Sequence, residues 1–250
     1  GVHSREEVQQ KLDEFQQFNP LGVKITFEDG QAGPIWPLFE PDMINAIQEE
    51  CNARDFPMYI HAMDAKRTRN ALTMQPHALV HASRNGGKRL AREIVEQDVY
   101  VVTTLDIYGS PLILWNRDML SHPNIQFTVP QDAIELIYDP IVSKASKVGV
   151  IEVNLPWFPQ SLYRLALNEP IVRYTNRKAS AMITTLHKEG AKLVLGSDSG
   201  GWPILTYMLH GPTTHLEIDL LHEAGLSPLD IIRSATQTPA EMLGISDEVG

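Results

Sequence analysis

The sequence is poor in cysteine and in positive charge, and it has no long apolar run. Its 250 residues contain a single cysteine, Cys51, so no disulfide can form within the chain. This fits a reducing compartment such as the cytoplasm. No apolar run reaches the roughly 18 residues of a membrane span. The first four residues, Gly-Val-His-Ser, have neither the basic start nor the apolar core of a signal peptide. We therefore expect a cytoplasmic protein with no membrane partner.

Acidic residues dominate the charge of the chain. Lys and Arg total 21 against 31 Asp and Glu, which gives a net charge of −10. A surface this acidic repels phosphate backbones and argues against a nucleic-acid partner. Hydrophobic residues make up 43% and charged residues 21%, the mix of an ordinary globular protein. The length allows a single domain over residues 1–250, and the sequence leaves a homo-oligomer open.

Five short apolar runs, rich in β-branched residues, alternate with segments of helical periodicity. The runs span 22–27, 58–63, 78–81, 99–105 and 191–196. Strands that are apolar on both faces and separated by helices are typical of a parallel sheet covered by helices. The periodicity also predicts a long helix over 171–189 that buries Tyr174, Met182, Ile183 and Leu186. Thr238 is predicted to cap a helix that begins at Pro239.

A long excursion separates the last two predicted strands. Val102 and Val194 are 194 − 102 = 92 positions apart, far more than one strand–helix unit needs. Residues 106–170 are therefore predicted to be an insertion within the domain. It includes Trp157 and a strand of its own over Val150–Val153. An excursion that follows the carboxyl end of a strand is where a barrel enzyme builds a lid or a pocket.

Four ionisable residues stand near the carboxyl ends of these strands: Lys24, His61, His81 and Asp198. The carboxyl ends of parallel strands meet at one edge of the sheet, so these side chains are expected to converge. Imidazole nitrogen and carboxylate oxygen are ligands of zinc and similar divalent ions. Taken singly, each residue also has a structural explanation, as a core histidine, a paired lysine or a turn aspartate.

Two other polar features are expected to have no catalytic role. His77 and His81 are four positions apart, but on a strand this spacing separates them by about 13 Å, too far for a shared metal. Cys51 falls on a predicted helix, where a small buried hydrophobe is the expected role.

The chain resembles the amidohydrolase superfamily, and most closely its imidazolonepropionase-like and Xaa-Pro dipeptidase-like branch. The resemblance rests on the order Lys24, His61, His81, Asp198 and on the C-terminal motifs. The motifs are Leu-Gly-Ser-Asp-Ser-Gly (195–200), His-Gly (210–211), Leu-Glu (216–217), Glu-Ala-Gly-Leu-Ser-Pro (223–228), Ala-Thr (235–236) and Thr-Pro-Ala (238–240). It covers most of the chain except 106–170.

The resemblance implies an α/β fold, a partial (β/α)8 barrel made of strands four to eight with the insertion after strand seven. It also implies one or two divalent metal ions, with zinc the first candidate. Lys24, His61, His81 and Asp198 would be the metal ligands, with Lys24 carboxylated and bridging a binuclear centre. Asp198 would also transfer protons, and His210 would line the substrate site.

The resulting expectation is a metal-dependent hydrolase that cleaves an amide or other C–N bond in a peptide-like or cyclic substrate. The first alternative is a non-catalytic, decayed barrel used for binding or assembly. The second is a phosphoester or lactone hydrolase on the same metal site. The His-x-His pair of the family's first strand is absent from these residues. We therefore expect a fragment of a longer chain, which by itself binds metal weakly, shows little activity and associates through open sheet edges.

Overall fold

A computed structural model describes residues 2–27, 37–154, 169–201 and 205–250. Its centre is a parallel sheet whose strands lie in sequence order. The strands are β1 (Val23–Thr26), β2 (Met58–His61), β3 (Ala78–Val80), β4 (Tyr100–Val102) and β5 (Lys192–Val194). In register, Ile60 pairs with Leu79, Leu79 with Val101 and Val101 with Leu193. The predicted mixed α/β fold with five parallel strands is confirmed.

Helices connect the strands and extend the chain after β4. They are α1 (Arg5–Gln16), α2 (Pro41–Asn52), α3 (Ala65–Leu72), α4 (Gly87–Glu96), α5 (Asp106–Gly109), α6 (Pro123–Thr128), α7 (Gln131–Tyr138), α8 (Pro140–Asn154), α9 (Glu169–Glu189), α10 (Pro212–Glu223), α11 (Pro228–Ala235) and α12 (Gln237–Leu243). Two 3₁₀ turns, Ser110–Leu114 and Arg117–Ser121, lie between α5 and α6. No helix within the described residues is both long and apolar enough to cross a membrane.

Two apolar clusters hold these layers together. The larger lies between the sheet and the helices around it, and Ile60, Leu90 and Leu186 are fully buried in it. The smaller joins the helices after β4 to the segment before α10, with Ile137 and Tyr207 among its buried members. The helices that follow β4 in the chain therefore pack around an apolar cluster of their own.

The structure corrects three sequence-based predictions. Val150–Val153 is not a strand but the end of α8, which Pro140 begins and which directs Val150 into the smaller cluster. Tyr174 is not buried, because 58% of it is exposed on α9. The last helix begins at Gln237, with Thr236 at its N-cap position, so Thr238 is not the cap.

The long helix α9 is confirmed, and Met182, Ile183 and Leu186 are buried as predicted. Ser4 caps α1 by accepting a hydrogen bond from the Glu7 N–H. Trp157 and the rest of 155–168 lie outside the described residues.

Candidate active site

Three of the four predicted site residues lie at the carboxyl edge of the sheet, and the fourth, Lys24, lies two positions before the end of its strand. Lys24 is on β1, His61 ends β2, His81 follows β3 directly, and Asp198 lies four residues beyond the end of β5. The rings of His61 and His81 are edge to face, with centroids 4.6 Å apart and planes at 79°. The charges of Lys24 and His61 act on Asp198 and on His81. The parallel order of the strands therefore brings two imidazoles, an amine and a carboxyl into one electrostatic neighbourhood.

His81 is buried and held by one hydrogen bond. Its Nδ1 lies 2.7 Å from Oγ1 of Thr104. Burial, followed by the nearby charges of His61 and Lys24, lowers the pKa of His81 to about 3. The ring is therefore neutral at physiological pH, and with Nδ1 engaged, Nε2 is the nitrogen available to a ligand.

Asp198 lies in an exposed turn, yet partial desolvation of its carboxyl raises its pKa above the ordinary value. The charges of Lys24 and His61 act in the opposite direction. The imidazole of His210 lies over Gly200, where an added Cβ would come within 2.6 Å of the ring Nε2. The structure thus brings His210 to the loop that carries Asp198.

Backbone strain marks this edge of the sheet. His81, Thr104 and Asp198 follow β3, β4 and β5, and their φ angles are +74°, +46° and +45°. Residues other than glycine rarely adopt this left-handed region, and a β-branched residue such as Thr104 adopts it least readily. Such strain persists only where the surrounding structure enforces it, and it is concentrated at functional sites.

Sequence reasoning assigned no role to a buried polar group behind His81. Glu217 on α10 is fully buried. Its carboxylate accepts hydrogen bonds from the Thr103 hydroxyl and, at 2.7 Å, from the Asp106 N–H. A signal for it does exist in the sequence, because Glu217 occupies the same helical face as Thr213 and Leu221. A charge on the apolar face of a helix implies a buried partner.

Asp106 completes this group. No donor group among the described residues gives a hydrogen bond to its fully buried carboxyl, and the carboxyl of Glu217 is its side-chain hydrogen-bonding neighbour. Burial, reinforced by the charges of Glu217 and Asp198, raises the pKa of Asp106 well above the ordinary value. Burial also raises the pKa of Glu217, and the hydrogen bonds from Thr103 and from the N–H groups of Leu105 and Asp106 oppose this rise. Because these donors surround Glu217 and not Asp106, we assign the proton of the pair to Asp106 and the negative charge to Glu217.

The donor chemistry suits a divalent cation, although the described residues supply only part of a ligand set. Two imidazoles beside a carboxylate are ligands of zinc-like ions, and the bond from Thr104 to His81 is the kind of support that metal-bound histidines have. Within the described ranges, no group of three or more His, Cys, Asp and Glu side chains is close enough together to hold a metal ion. The donors that complete a ligand set would therefore have to include the Lys24 amine or groups from outside these ranges.

His77 and Cys51 lie away from this edge, as predicted. Nε2 of His77 is 2.7 Å from the Met242 carbonyl oxygen, and its ring lies between those of Tyr59 and Tyr100. Cys51 is fully buried in α2, and burial raises the pKa of its thiol to about 11. Both residues therefore serve the packing of the domain.

A separate cavity of about 200 Å³ lies between α10 and the segment from the first 3₁₀ turn to α6. Its walls are mostly apolar, with Ile125, Tyr207 and Leu216 among them, and they include His215 and Asp219. None of the four predicted site residues lines it. This cavity is therefore distinct from the candidate active site.

Comparisons with known proteins show the family and the fold of the chain. The family model described as "Amidohydrolase family" matches residues 2–250. A crystal structure of an amidohydrolase superposes on the whole chain with a TM-score of 0.64 and 22% identity, over 48% of its own length. No curated protein matches significantly.

Two further solved structures were determined with bound molecules. A Xaa-Pro dipeptidase with methionine in its active site has a TM-score of 0.62 and 18% identity, and it matches all of this chain and 50% of its own. A prolidase complexed with N-methylphosphonate-L-proline has a TM-score of 0.63 and 20% identity, again over the whole chain and over 49% of its own. The chain thus spans about half the length of these solved structures.

Proposed function

Since this chain belongs to the amidohydrolase family, we propose that it acts as a metal-dependent hydrolase of an amide or another C–N bond. The observation that carries this proposal is the convergence of His61 and His81 with Lys24 and Asp198 at one edge of the sheet. We propose zinc as the metal and the cytoplasm as the location. Lys24, carboxylated on its amine, would join the two histidines as a ligand of a binuclear centre.

Each of the proposed site residues would have a separate role in the reaction. His61 and His81 would each present a neutral ring nitrogen to the metal, and Thr104 would keep the His81 ring in place. A divalent ion held there would supply the Lewis acidity that activates water and polarises a carbonyl. Asp198 would accept the proton of the attacking water and deliver it to the leaving nitrogen. Its raised pKa favours this exchange, because an acid–base group works best when its pKa approaches the working pH.

We propose a small, peptide-like substrate. Two of the solved structures similar to this chain hold an amino acid or a proline analogue. The helices after β4, which we propose as the pocket-building part of the 106–170 insertion, pack beside the sheet edge through Ile107, which contacts both apolar clusters. His210, over Gly200, would contribute to the wall of the pocket on the Asp198 side.

A non-catalytic barrel is the second candidate. It is favoured by the lack of a three-residue cluster of His, Cys, Asp and Glu in the described ranges. In that case Lys24, His61, His81 and Asp198 would be structural polar groups.

One experiment separates the two candidates. The polypeptide that carries these residues is isolated from its natural source, its intact mass is measured and its metal content is determined. It is then assayed against N-acyl amino acids, Xaa-Pro dipeptides, a lactone and a phosphoester. The hydrolase proposal expects bound metal and cleavage of an amide. Asp198→Asn should lower kcat by about 10²- to 10⁴-fold, the usual contribution of a general acid–base group.

Matched controls separate catalysis from folding. Asp247→Asn and Lys188→Ala change exposed residues that lie on none of the strands carrying the proposed ligands, and both variants should keep full activity, whereas Lys24→Ala should lose it. A metal-free protein of 28.0 kDa that cleaves none of these substrates would favour the non-catalytic barrel. Cleavage of only the lactone or only the phosphoester would refute the amide assignment.

A further inference from the structure

A single buried side chain, that of Glu217, holds the turn between β4 and α5 in place. The carboxylate of Glu217 accepts a hydrogen bond from the hydroxyl of Thr103 and another from the backbone N–H of Asp106. The N–H of Leu105 also stabilises its charged form. These donors stand on both sides of Thr104, so one buried carboxylate fixes the chain before and after that residue.

Thr104 needs such a clamp, because its backbone is left-handed. A φ of +46° is costly for a β-branched residue, and the turn would relax without contacts that oppose the relaxation. Thr104 is also the partner of His81, with its Oγ1 2.7 Å from Nδ1. The orientation of the His81 ring therefore depends on the backbone conformation that Glu217 holds.

The protonated carboxyl of Asp106 helps Glu217 to hold this turn. As a neutral acid it can donate to the adjacent Glu217, where an ionised Asp106 would repel it. The pair then carries one negative charge, and Glu217 remains the acceptor that the turn requires. Ser110 Oγ donates to the Asp106 carbonyl at 2.8 Å and continues the network into the first 3₁₀ turn.

We infer that Glu217 is a positioning residue, which orients the His81 ring through the Thr103–Asp106 turn and the side chain of Thr104. The importance of this orientation for catalysis rests on the proposed function. The orientation itself does not, because it is a property of the metal-free chain. Glu217 lies on α10 and belongs to none of the strands that carry the proposed ligands.

The test is the tautomer of His81 at pH 7, read from long-range ¹H–¹⁵N correlation spectra of the metal-free chain labelled with ¹⁵N-histidine. His81→Asn identifies the signals of that ring. The wild type is expected to show one neutral tautomer. Glu217→Ala and Thr104→Val should both lose it and give exchange-averaged ring nitrogens. Glu217→Gln should retain it, because the amide can still accept from the Asp106 N–H and donate to the Thr103 hydroxyl.

Glu223→Ala is the matched control, since Glu223 ends the same helix and is exposed; it should leave His81 unchanged. A folded Glu217→Ala variant with wild-type His81 signals would overturn the inference, as would tautomer exchange in the wild type. If Glu217→Ala fails to fold, Thr103→Val decides by the same spectra. Loss of the single tautomer then supports the clamp, and its retention refutes it. No outcome depends on hydrolysis or metal binding, so failure of the proposed function is detected separately.

Discussion

The imidazole rings of His61 and His81 lie edge to face, with their centroids 4.6 Å apart. The hydroxyl of Thr104 anchors His81, which is almost entirely excluded from solvent, whereas His61 is half-buried. A protonated His81 would be desolvated and repelled by Lys24. The site is therefore built to keep this ring neutral, as a metal ligand must be.

The first prediction concerns stability in acid. The pKa of His81 is about 3 in the folded chain and about 6.5 in the unfolded chain, so between these values only the unfolded state binds the proton. The His81 contribution to the free energy of unfolding should therefore fall by up to about 1.4 kcal/mol per pH unit as the pH drops from 6.5 towards 3. His81→Asn removes the titration, and asparagine tolerates the left-handed backbone.

Urea unfolding of both proteins across this range gives the measurement. As the pH falls, the free energy of unfolding of the wild type should decrease steadily relative to that of His81→Asn. A difference that stays constant with pH would show that His81 titrates alike in both states. His3→Asn, which changes a histidine near the start of the chain, is the matched control.

The second prediction concerns a loss of stability as the pH rises from acid values through neutrality. Asp106 keeps its proton in the folded chain, whereas an unfolded aspartate loses it near pH 4. The folded state then binds more protons, so stability should decrease as the pH rises above about 4, by up to about 1.4 kcal/mol per unit. Asp106→Asn cannot ionise, and its stability should become progressively higher relative to wild type between pH 5 and pH 8. If the free energies of unfolding of the two proteins differed by the same amount at every pH, this result would contradict a neutral Asp106.

The sequence predicts the sheet well, for a physical reason. Each strand is a short apolar run, and a buried parallel strand admits hardly any other composition. Helical periodicity likewise locates α9 and its buried Leu186. The Val150–Val153 run misleads because β-branched residues also occur in helices when tertiary contacts require them. There Pro140 begins a helix that buries Val150 in the smaller cluster.

The site is predictable only in part. Lys24 lies within β1, His61 ends β2, and His81 and Asp198 come after their strands, so the order of the strands is enough to bring the four residues near one edge. Thr104 gives no such signal, because its role depends on a left-handed backbone that sequence patterns do not reveal. Glu217 and Asp106 are 111 positions apart and meet only through the packing of α10 on α5. The proposed ligands could therefore be named from the sequence, whereas the residues that hold His81 in place could be identified only from the structure.

The third prediction tests how tightly the Asp198 loop approaches β4. A Cβ added at Gly196 would lie 2.5 Å from Cγ1 of Val102. Because χ1 of valine is stiff, the backbone would have to move instead. Gly196→Ala should destabilise the chain by about 1–3 kcal/mol, the usual cost of overpacking. Val102→Ala removes the clashing methyl groups and should recover much of this loss in the double variant. Chemical denaturation of the four proteins would give the coupling free energy, and a value near zero would place the strain elsewhere.

The fourth prediction concerns the surface beside β1, which pairs only with β2 among the described strands. Phe18 and Leu21, in the turn before β1, are 81% and 69% exposed, and an apolar groove that includes Phe15 runs along the strand. Exposed strand edges and apolar patches promote association. We expect the 250-residue chain to self-associate through this surface.

Phe18→Ser with Leu21→Ser should weaken this self-association at least about tenfold, because burying either side chain contributes about 1.5–3 kcal/mol and 1.4 kcal/mol is a factor of ten. Light scattering after gel filtration over a range of concentrations would measure the effect. Phe127→Ser is the matched control, since Phe127 is 89% exposed on α6, away from β1. A wild-type chain that stays monomeric at every concentration would refute the prediction. If the control weakened association as much as the double variant, the association would depend on general hydrophobicity and not on the open edge of β1.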